Sequence, residues 1–288
     1  MGLDSRKATG ASSNLDVKTV EGFGDEWAAF DQSGLTREEH EAIFNDYFAV
    51  FPWDQLPEGC EGFDLGCGSG RWAVRVAPRV GQLHCIDAAT AALEVAKAKM
   101  SGMSNVSFHL ASVDAIPLKD NSQDFGFSLG VLHHVPNTAG GIAACVRKLK
   151  PCAPFLVYLY YRFDNRPAWF RGLWRLSEVP RRVICVMPFA LKRPATDIIA
   201  ALVYLPLSRI AKFGEAMGAS VGNWPLSAYR DRSFYTLRTD ALDRFGTRLE
   251  QRFTRVEIDA MMRAAGLDNI RFHDGMPYWV AIGFKSKT

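Results

Sequence analysis

The sequence predicts an α/β fold: a doubly wound, mostly parallel sheet of seven strands, with a helical insertion after the fifth. Three observations predict it. Short apolar β-type runs alternate with helical stretches between residues 63 and 161. The first run ends in a glycine-rich turn, Gly66-Cys67-Gly68-Ser69-Gly70. The alternation stops at residue 162 and resumes near 253.

The elements follow in order. Residues 1–15 are polar and read as a flexible tail. Residues 36–50 place Ile43, Tyr47 and Val50 at helical spacing, with Thr36 and Glu39 as a capping box. Phe63–Leu65 is the first strand, and residues 71–78 the helix after the turn. Leu83–Asp87 is the second strand and 88–100 an alanine-rich helix. Val106–Leu110, Phe125–Leu129 and Phe155–Tyr161 are strands three to five, with a helix over 139–149. Residues 162–235 break the rhythm as helical stretches separated by Pro180, Pro188, Pro194, Pro206 and Pro225. Thr254–Ala265 is a helix closed by Gly266. Asn269–His273 and Tyr278–Phe284 form a terminal strand pair. The domain reading is a tail over 1–15, entrance helices and ligand-binding core over 16–161, a helical cap over 162–252, and a core-completing segment over 253–288.

Composition narrows the class. Apolar residues are 48% of the 288, enough for a sizeable core, and a formal charge of +3 gives no argument for nucleic acid. The six cysteines show no Cys-x-x-Cys spacing, so no metal site is expected and the thiols read as reduced. The N-terminus has no apolar signal core, and Arg6 stands where a myristoylation signal needs Ser or Thr. No apolar run reaches the length of a membrane span; the longest, 198–207, contains Pro206. The expected location is cytoplasmic.

The turn carries the functional argument. Glycines at 66, 68 and 70 let the backbone bend sharply and approach a ligand. Their spacing is Gly-x-Gly-x-Gly rather than the Gly-x-Gly-x-x-Gly of dinucleotide folds. Asp64, inside the strand, would repel a pyrophosphate and suits a ligand bearing an ammonium group. Asp87, 23 residues on, ends the second strand, where a carboxylate accepts both hydroxyls of a ribose.

Phe63-Asp64-Leu65-Gly66-Cys67-Gly68-Ser69-Gly70-Arg71-Trp72, then Cys85-Ile86-Asp87-Ala88-Ala89, then residues 111–137, resemble class I S-adenosylmethionine-dependent methyltransferases. The nearest group includes the ubiquinone- and menaquinone-pathway enzymes. The resemblance implies a Rossmann-like core and S-adenosylmethionine as cofactor. It implies that Asp64 and the segment Gly66, Cys67, Gly68, Gly70 and Arg71 lie at the methionine part. Asp87 and Ala88 would hold the ribose, Ser112 and Val113 would flank the adenine, and Leu129 and Gly130 would line the methionine end. Many relatives carry Asp where this chain has Ser112, so that adenine contact is altered here. Residues 23–27 resemble a segment that closes over the cofactor, which makes Trp27, with Phe30, a lid aromatic facing a sulfonium.

Methyl transfer needs a general base only when the nucleophile arrives protonated. His134, then His133, are the candidate bases, against the alternative that both merely pack at a helix start. Tyr229, Tyr235, His273 and Tyr278 are the candidate substrate contacts. Residues 162–213 hold ten basic and three acidic residues, with Trp169, Leu173 and Leu176 on one helical face and Arg171, Arg175 and Arg182 on another. That pattern fits an ordinary helical cap, a lid over an apolar or aromatic substrate, or peripheral contact with a membrane. Arg232, Arg238, Arg244, Arg248 and Arg252 read as an anion clamp or as surface partners of Asp231, Asp240, Asp243 and Glu250.

The expected function is therefore methyl transfer to a small, apolar or aromatic acceptor. Other S-adenosylmethionine chemistry, such as cyclisation, would give the same motifs. No Asn-Pro-Pro-aromatic motif follows the fourth strand, which disfavours RNA or protein amide targets. Asp64 and the glycine spacing oppose an NAD dehydrogenase. The oligomeric state is not legible.

Overall fold

A computed structural model describes residues 14–32 and 34–287. Seven strands form one sheet: β1 (Glu61–Leu65), β2 (Gln82–Asp87), β3 (Val106–Leu110), β4 (Phe125–Leu129), β5 (Pro154–Tyr158), β6 (Leu267–Phe272) and β7 (Val280–Lys285). Their order is β3-β2-β1-β4-β5-β7-β6. The first five pair in parallel; β7 runs antiparallel to β5 and β6. The order reverses between β1 and β4, so the ligand crevice of a doubly wound sheet belongs at their carboxyl ends.

Helices cover both faces. α1 (Val17–Ala29) and α2 (Arg37–Tyr47) precede the sheet, and α3 (Ala73–Val76) and α4 (Thr90–Lys99) follow β1 and β2. α5 (Thr138–Lys148) follows β4, and α10 (Arg255–Ala264) precedes β6. One core packs Phe44, Phe48, Phe125 and Phe127 on one face. The other packs Phe63, Ile142, Phe155 and Met262. β1 is buried on both faces, as a central parallel strand must be.

The insertion holds α6 (Ala168–Ile184), α7 (Phe189–Ile199), α8 (Leu205–Ala216) and α9 (Phe234–Gly246). It has its own small core of Ile184, Ala200, Tyr204, Leu237, Ala241 and Phe245. Pro188 and Pro225 lie between helices as the sequence suggests, but Pro180, Pro194 and Pro206 do not. Pro180 and Pro194 lie inside α6 and α7. Both are exposed, as are Leu176 and Ala190 four residues earlier, whose orphaned carbonyls can turn to water. A π turn at Ala200–Tyr204 joins α7 to α8 just before Pro206. The result is one continuous 28-residue helix, Phe189–Ala216, long and apolar enough to cross a membrane by length and composition. The apolar-run count misses it because charged residues interrupt it.

Other boundaries shift. The helix after the glycine turn shrinks to α3 and a 3₁₀ turn at Ala77–Arg79. β5 ends at Tyr158, and Tyr161 makes only an isolated bridge to Phe253. Most of the tail, residues 1–13, lies outside the described residues, but Asn14 is buried and exchanges hydrogen bonds with Asn137 at 2.6 and 2.8 Å. The described fold thus includes the end of the segment read as tail. Thr36 caps α2 by accepting from Glu39 N, but the Glu39 carboxylate turns to Ser233 N and Thr236 Oγ1, so it ties α2 to α9 instead of closing the box.

Candidate active site

A cavity of about 1240 Å³ opens at the carboxyl ends of β1 to β5 and continues under the insertion. Its floor is the turn after β1. Gly66 N and Cys67 N both donate to Ile86 O, at 2.7 and 3.1 Å, which folds the turn over the end of β2. Gly66 has φ +76°, and a Cβ there would meet Val131 at 2.4 Å. Gly68 has φ +52°, and a Cβ there would meet the Trp27 indole at 3.0 Å. Only glycine fits either position without strain.

Asp87 stands at the cavity wall. Its Oδ2 accepts from Gly68 N and its Oδ1 from Ala89 N, both at 2.8 Å. Burial pushes its pKa up, and the amides of Ala89, Gly68 and Ala88 pull against that. The carboxylate is thus fixed in orientation, with further lone pairs for a ligand.

Asp64 lies beneath the turn, 1% exposed, and is not among the residues that line the cavity. Neither of its carboxylate oxygens has a hydrogen-bond partner. Burial first, and Asp87 second, push its pKa well up, so its neutral form is favoured.

The other residues picked from the sequence divide. Trp27, Cys67, Arg71, Ala88, Ser112, Val113, Leu129, Gly130, His134, Tyr229 and Tyr278 line the cavity, together with Gly66 and Gly68. Gly70 does not line it; with φ +71°, it packs against Met100 and Ala96 of α4's end. His133 does not line it either: it is fully buried, its ring stacked 3.8 Å from Tyr160, with neither nitrogen partnered. Burial drives its pKa well down, which makes it a weaker base. Tyr235 turns away, its hydroxyl accepting from Gln32 N at 2.9 Å. Phe30 packs on Tyr235 and under Arg238, outside the cavity. His273 lies beyond it as well, its amide donating to Val280 O in the β6–β7 pair.

His134 Nδ1 donates to Leu249 O at 2.6 Å, which leaves Nε2 as the acceptor, 3.9 Å from Asp243 Oδ1. Burial lowers its pKa to about 4. Asp243 accepts a hydrogen bond from the Tyr160 hydroxyl, and burial raises its pKa to about 7, reinforced by Glu250.

Sequence reasoning placed Asp240, Asp243 and Glu250 on a solvated charged face. Asp240 and Asp243 instead line the cavity. Glu250 is buried among Arg244, Arg252 and Arg181, which hold its pKa down against burial. Arg232 and Arg238 pair with Asp46 and Asp197 instead of forming a clamp. The signal was present in α9: Thr236, Thr239, Asp240 and Asp243 recur at three- and four-residue spacing and all line the cavity. Glu26, Tyr47, Tyr158 and Tyr160 also line it and were not picked; Arg252, read as part of an anion clamp, lines it too.

Residues 63–157 match the methyltransferase domain family. That match spans the five parallel strands, β1 to β5, whose carboxyl ends build the floor just described.

This segment is a methyltransferase domain.

Among curated proteins, the chain is 30% identical over 133 residues to a 2-phytyl-1,4-naphtoquinone methyltransferase of Nostoc sp., covering 44% of this chain and 58% of that one. It is 28% identical over 127 residues to a demethylmenaquinone methyltransferase of Staphylococcus aureus, covering 37% and 52%. The chain thus spans about half the length of these relatives. A possible exported protein from Bordetella parapertussis has a similar fold, with a TM-score of 0.50 at 16% identity over 87% of this chain and 68% of that one. The insertion and α9 fall outside the methyltransferase match, so the domain accounts for the floor of the cavity and not its roof.

Proposed function

We propose that the protein transfers a methyl group from S-adenosylmethionine to a small apolar acceptor carrying an aromatic or quinone-like ring. The observation that carries this reading is Asp87, held by the Gly68 and Ala89 amides against the cavity. A carboxylate so held accepts the two hydroxyls of a ribose, and the bare glycine turn beside it leaves room for the rest of the nucleoside. Ser112 and Val113, after β3, line the cavity and would border the adenine. Trp27 covers the turn from α1 and offers a π face to a sulfonium. The residues present therefore fit the cofactor. When bound, it supplies an electrophilic methyl on a positively charged sulfur.

The rest of the cavity belongs to the acceptor. A volume of about 1240 Å³ exceeds the usual range for one small-molecule ligand, about 300–1,000 Å³. Beyond the turn the lining is aromatic: Tyr47, Tyr158, Tyr160, Phe170, Trp174 and Tyr229. Tyr158 meets Tyr47 edge-on at 5.1 Å and Tyr160 at 5.8 Å. Such walls take a flat ring and exclude water. The names of the two relatives point to the same acceptor class.

For an acceptor that arrives protonated, Asp243 is the group best matched to take the proton. Its carboxyl, with a pKa near 7 and hydrogen-bonded by Tyr160, sits near the pH at which it works. His134, at about 4, is too weak a base for that step and orients beside Asp243 as a neutral ring.

Incubation with S-adenosylmethionine and a panel of hydroxylated or demethylated quinones, followed by mass spectrometry, tests the reading. It expects S-adenosylhomocysteine and an acceptor heavier by one methyl group. Formation of methylthioadenosine instead, or of no product with any ring acceptor, contradicts it.

A further inference from the structure

The insertion leaves a broad apolar face uncovered. On α6, Trp169, Leu173, Leu176, Val179 and Val183 are each between 47 and 66% exposed. On the long helix and its C-cap, Leu191, Ile198, Leu202, Ile210, Phe213 and Met217 are each between 54 and 73% exposed. Their spacing puts these six in one stripe along its outer side. Monomeric soluble proteins do not leave contiguous apolar surface of this kind without a use for it.

We propose that this face docks on an anionic lipid bilayer, with the cavity opening into the membrane contact. The charge pattern selects that occupant. Arg171, Arg175 and Arg182 are exposed and share one edge of α6, bordering its apolar face. None of the three makes an ion pair among the described residues. Glu178, the acidic residue of α6, is already engaged by Arg181 and Arg244. Ten basic residues against three acidic across residues 162–213 would repel a second copy of the same face and attract phosphate headgroups.

The long helix lies on the membrane and does not cross it. Ala200 and Tyr204 on its inner side are packed into the insertion core against Leu237, Ala241 and Phe245 of α9. Asp197 is paired with Arg238 of α9 at 2.7 Å. Spanning would strip both sets of contacts, whereas lying flat buries only the exposed stripe.

The cavity mouth falls within the face. Leu173, Leu176, Val179 and Val203 are exposed and also line the cavity. An apolar acceptor dissolved in the bilayer would reach Tyr160 and Tyr229 without crossing water. That route rests on the acceptor reading above; the docking surface does not.

Co-sedimentation of the full chain with vesicles, in the absence of cofactor, tests the proposal. Vesicles of equal phosphatidylcholine and phosphatidylglycerol should carry the protein down, and phosphatidylcholine alone much less. The triple variant Arg171→Gln, Arg175→Gln, Arg182→Gln should partition roughly a hundredfold more weakly onto the mixed vesicles. Leu202→Glu with Phe213→Glu, both outward-facing, should abolish binding to either. Wild-type protein left in the supernatant with mixed vesicles overturns the proposal. So does a dimer that Leu202→Glu dissociates while vesicles are ignored. Calorimetry with S-adenosylhomocysteine on the same preparations separates the two readings. Nucleoside binding without vesicle binding overturns the docking alone; vesicle binding without nucleoside binding overturns the proposed function and supports the surface.

Discussion

The Gly68 amide donates to Asp87 Oδ2 across 2.8 Å, which ties the glycine turn after β1 to the last residue of β2. One bond thus links the two features that the sequence offered separately. It makes the carboxylate part of the turn's geometry, so altering either residue should disturb the other's role.

Gly68→Val tests the turn. At φ +52° a branched residue is strained, and its Cβ would press on Trp27 at 3.0 Å. The expected cost in stability is about 1–2 kcal/mol, read as a lowered Tm, with nucleoside binding lost at temperatures where the variant is still folded. Unchanged binding would show that the turn does not hold the ligand.

Trp27→Ala should weaken S-adenosylmethionine more than S-adenosylhomocysteine, because only the first carries the sulfonium. Loss of a cation–π contact predicts a difference of roughly threefold or more between the two affinities. Equal losses would place Trp27 as a steric cover alone.

His134 should stay neutral through the physiological range. Its folded pKa near 4 lies below the unfolded value near 6.5, so its contribution to stability is whole above 6.5 and is lost as pH falls toward 4. NMR titration of its ring resonances checks this. A midpoint near 6.5 would mean that the ring is hydrated, and would restore it as a base.

Asp243 behaves in the opposite sense. Its folded pKa of about 7 lies above the model-compound value of 3.8, so its contribution is whole below 3.8 and is lost as pH rises through 7. Asp243→Asn should gain on the wild type as pH rises from 4 to 7 and run level with it above, by at most about 4 kcal/mol. The carboxyl is partly open to the cavity, so that figure is a ceiling. Thermal melts across that range provide the measurement. The same variant should lower kcat for an acceptor that loses a proton and flatten its pH profile near 7. A parallel pH dependence in variant and wild type contradicts the assignment.

Sequence and structure agree where contacts are local. Val106–Leu110 and Phe125–Leu129 match the expected strands residue for residue; the second, a fully buried parallel strand, reads as a short apolar run, while the first is a half-exposed edge strand. The helix expected from Thr254 begins there, held by a capping box between Thr254 and Glu257. The turn and Asp87 were legible because their spacing alone fixes them at adjoining strand ends. The acceptor half was not. Tyr47 and Tyr158 come from elements more than a hundred residues apart, and only the sheet order brings them within 5.1 Å. Asp240 and Asp243 sit in an arginine-rich stretch whose charges suggest solvent, and only packing shows that this face turns inward. Likewise Tyr235 and His273 have the right chemistry but lie outside the cavity.

Isothermal titration of the full chain with S-adenosylhomocysteine, beside Asp87→Ala and with NAD as a second titrant, bears most directly on the whole account. Saturable one-to-one binding is expected, weakened roughly a hundredfold or more by the loss of the Asp87 carboxylate, with no heat from NAD. A chain that ignores the nucleoside, or binds it equally well without that carboxylate, contradicts the account.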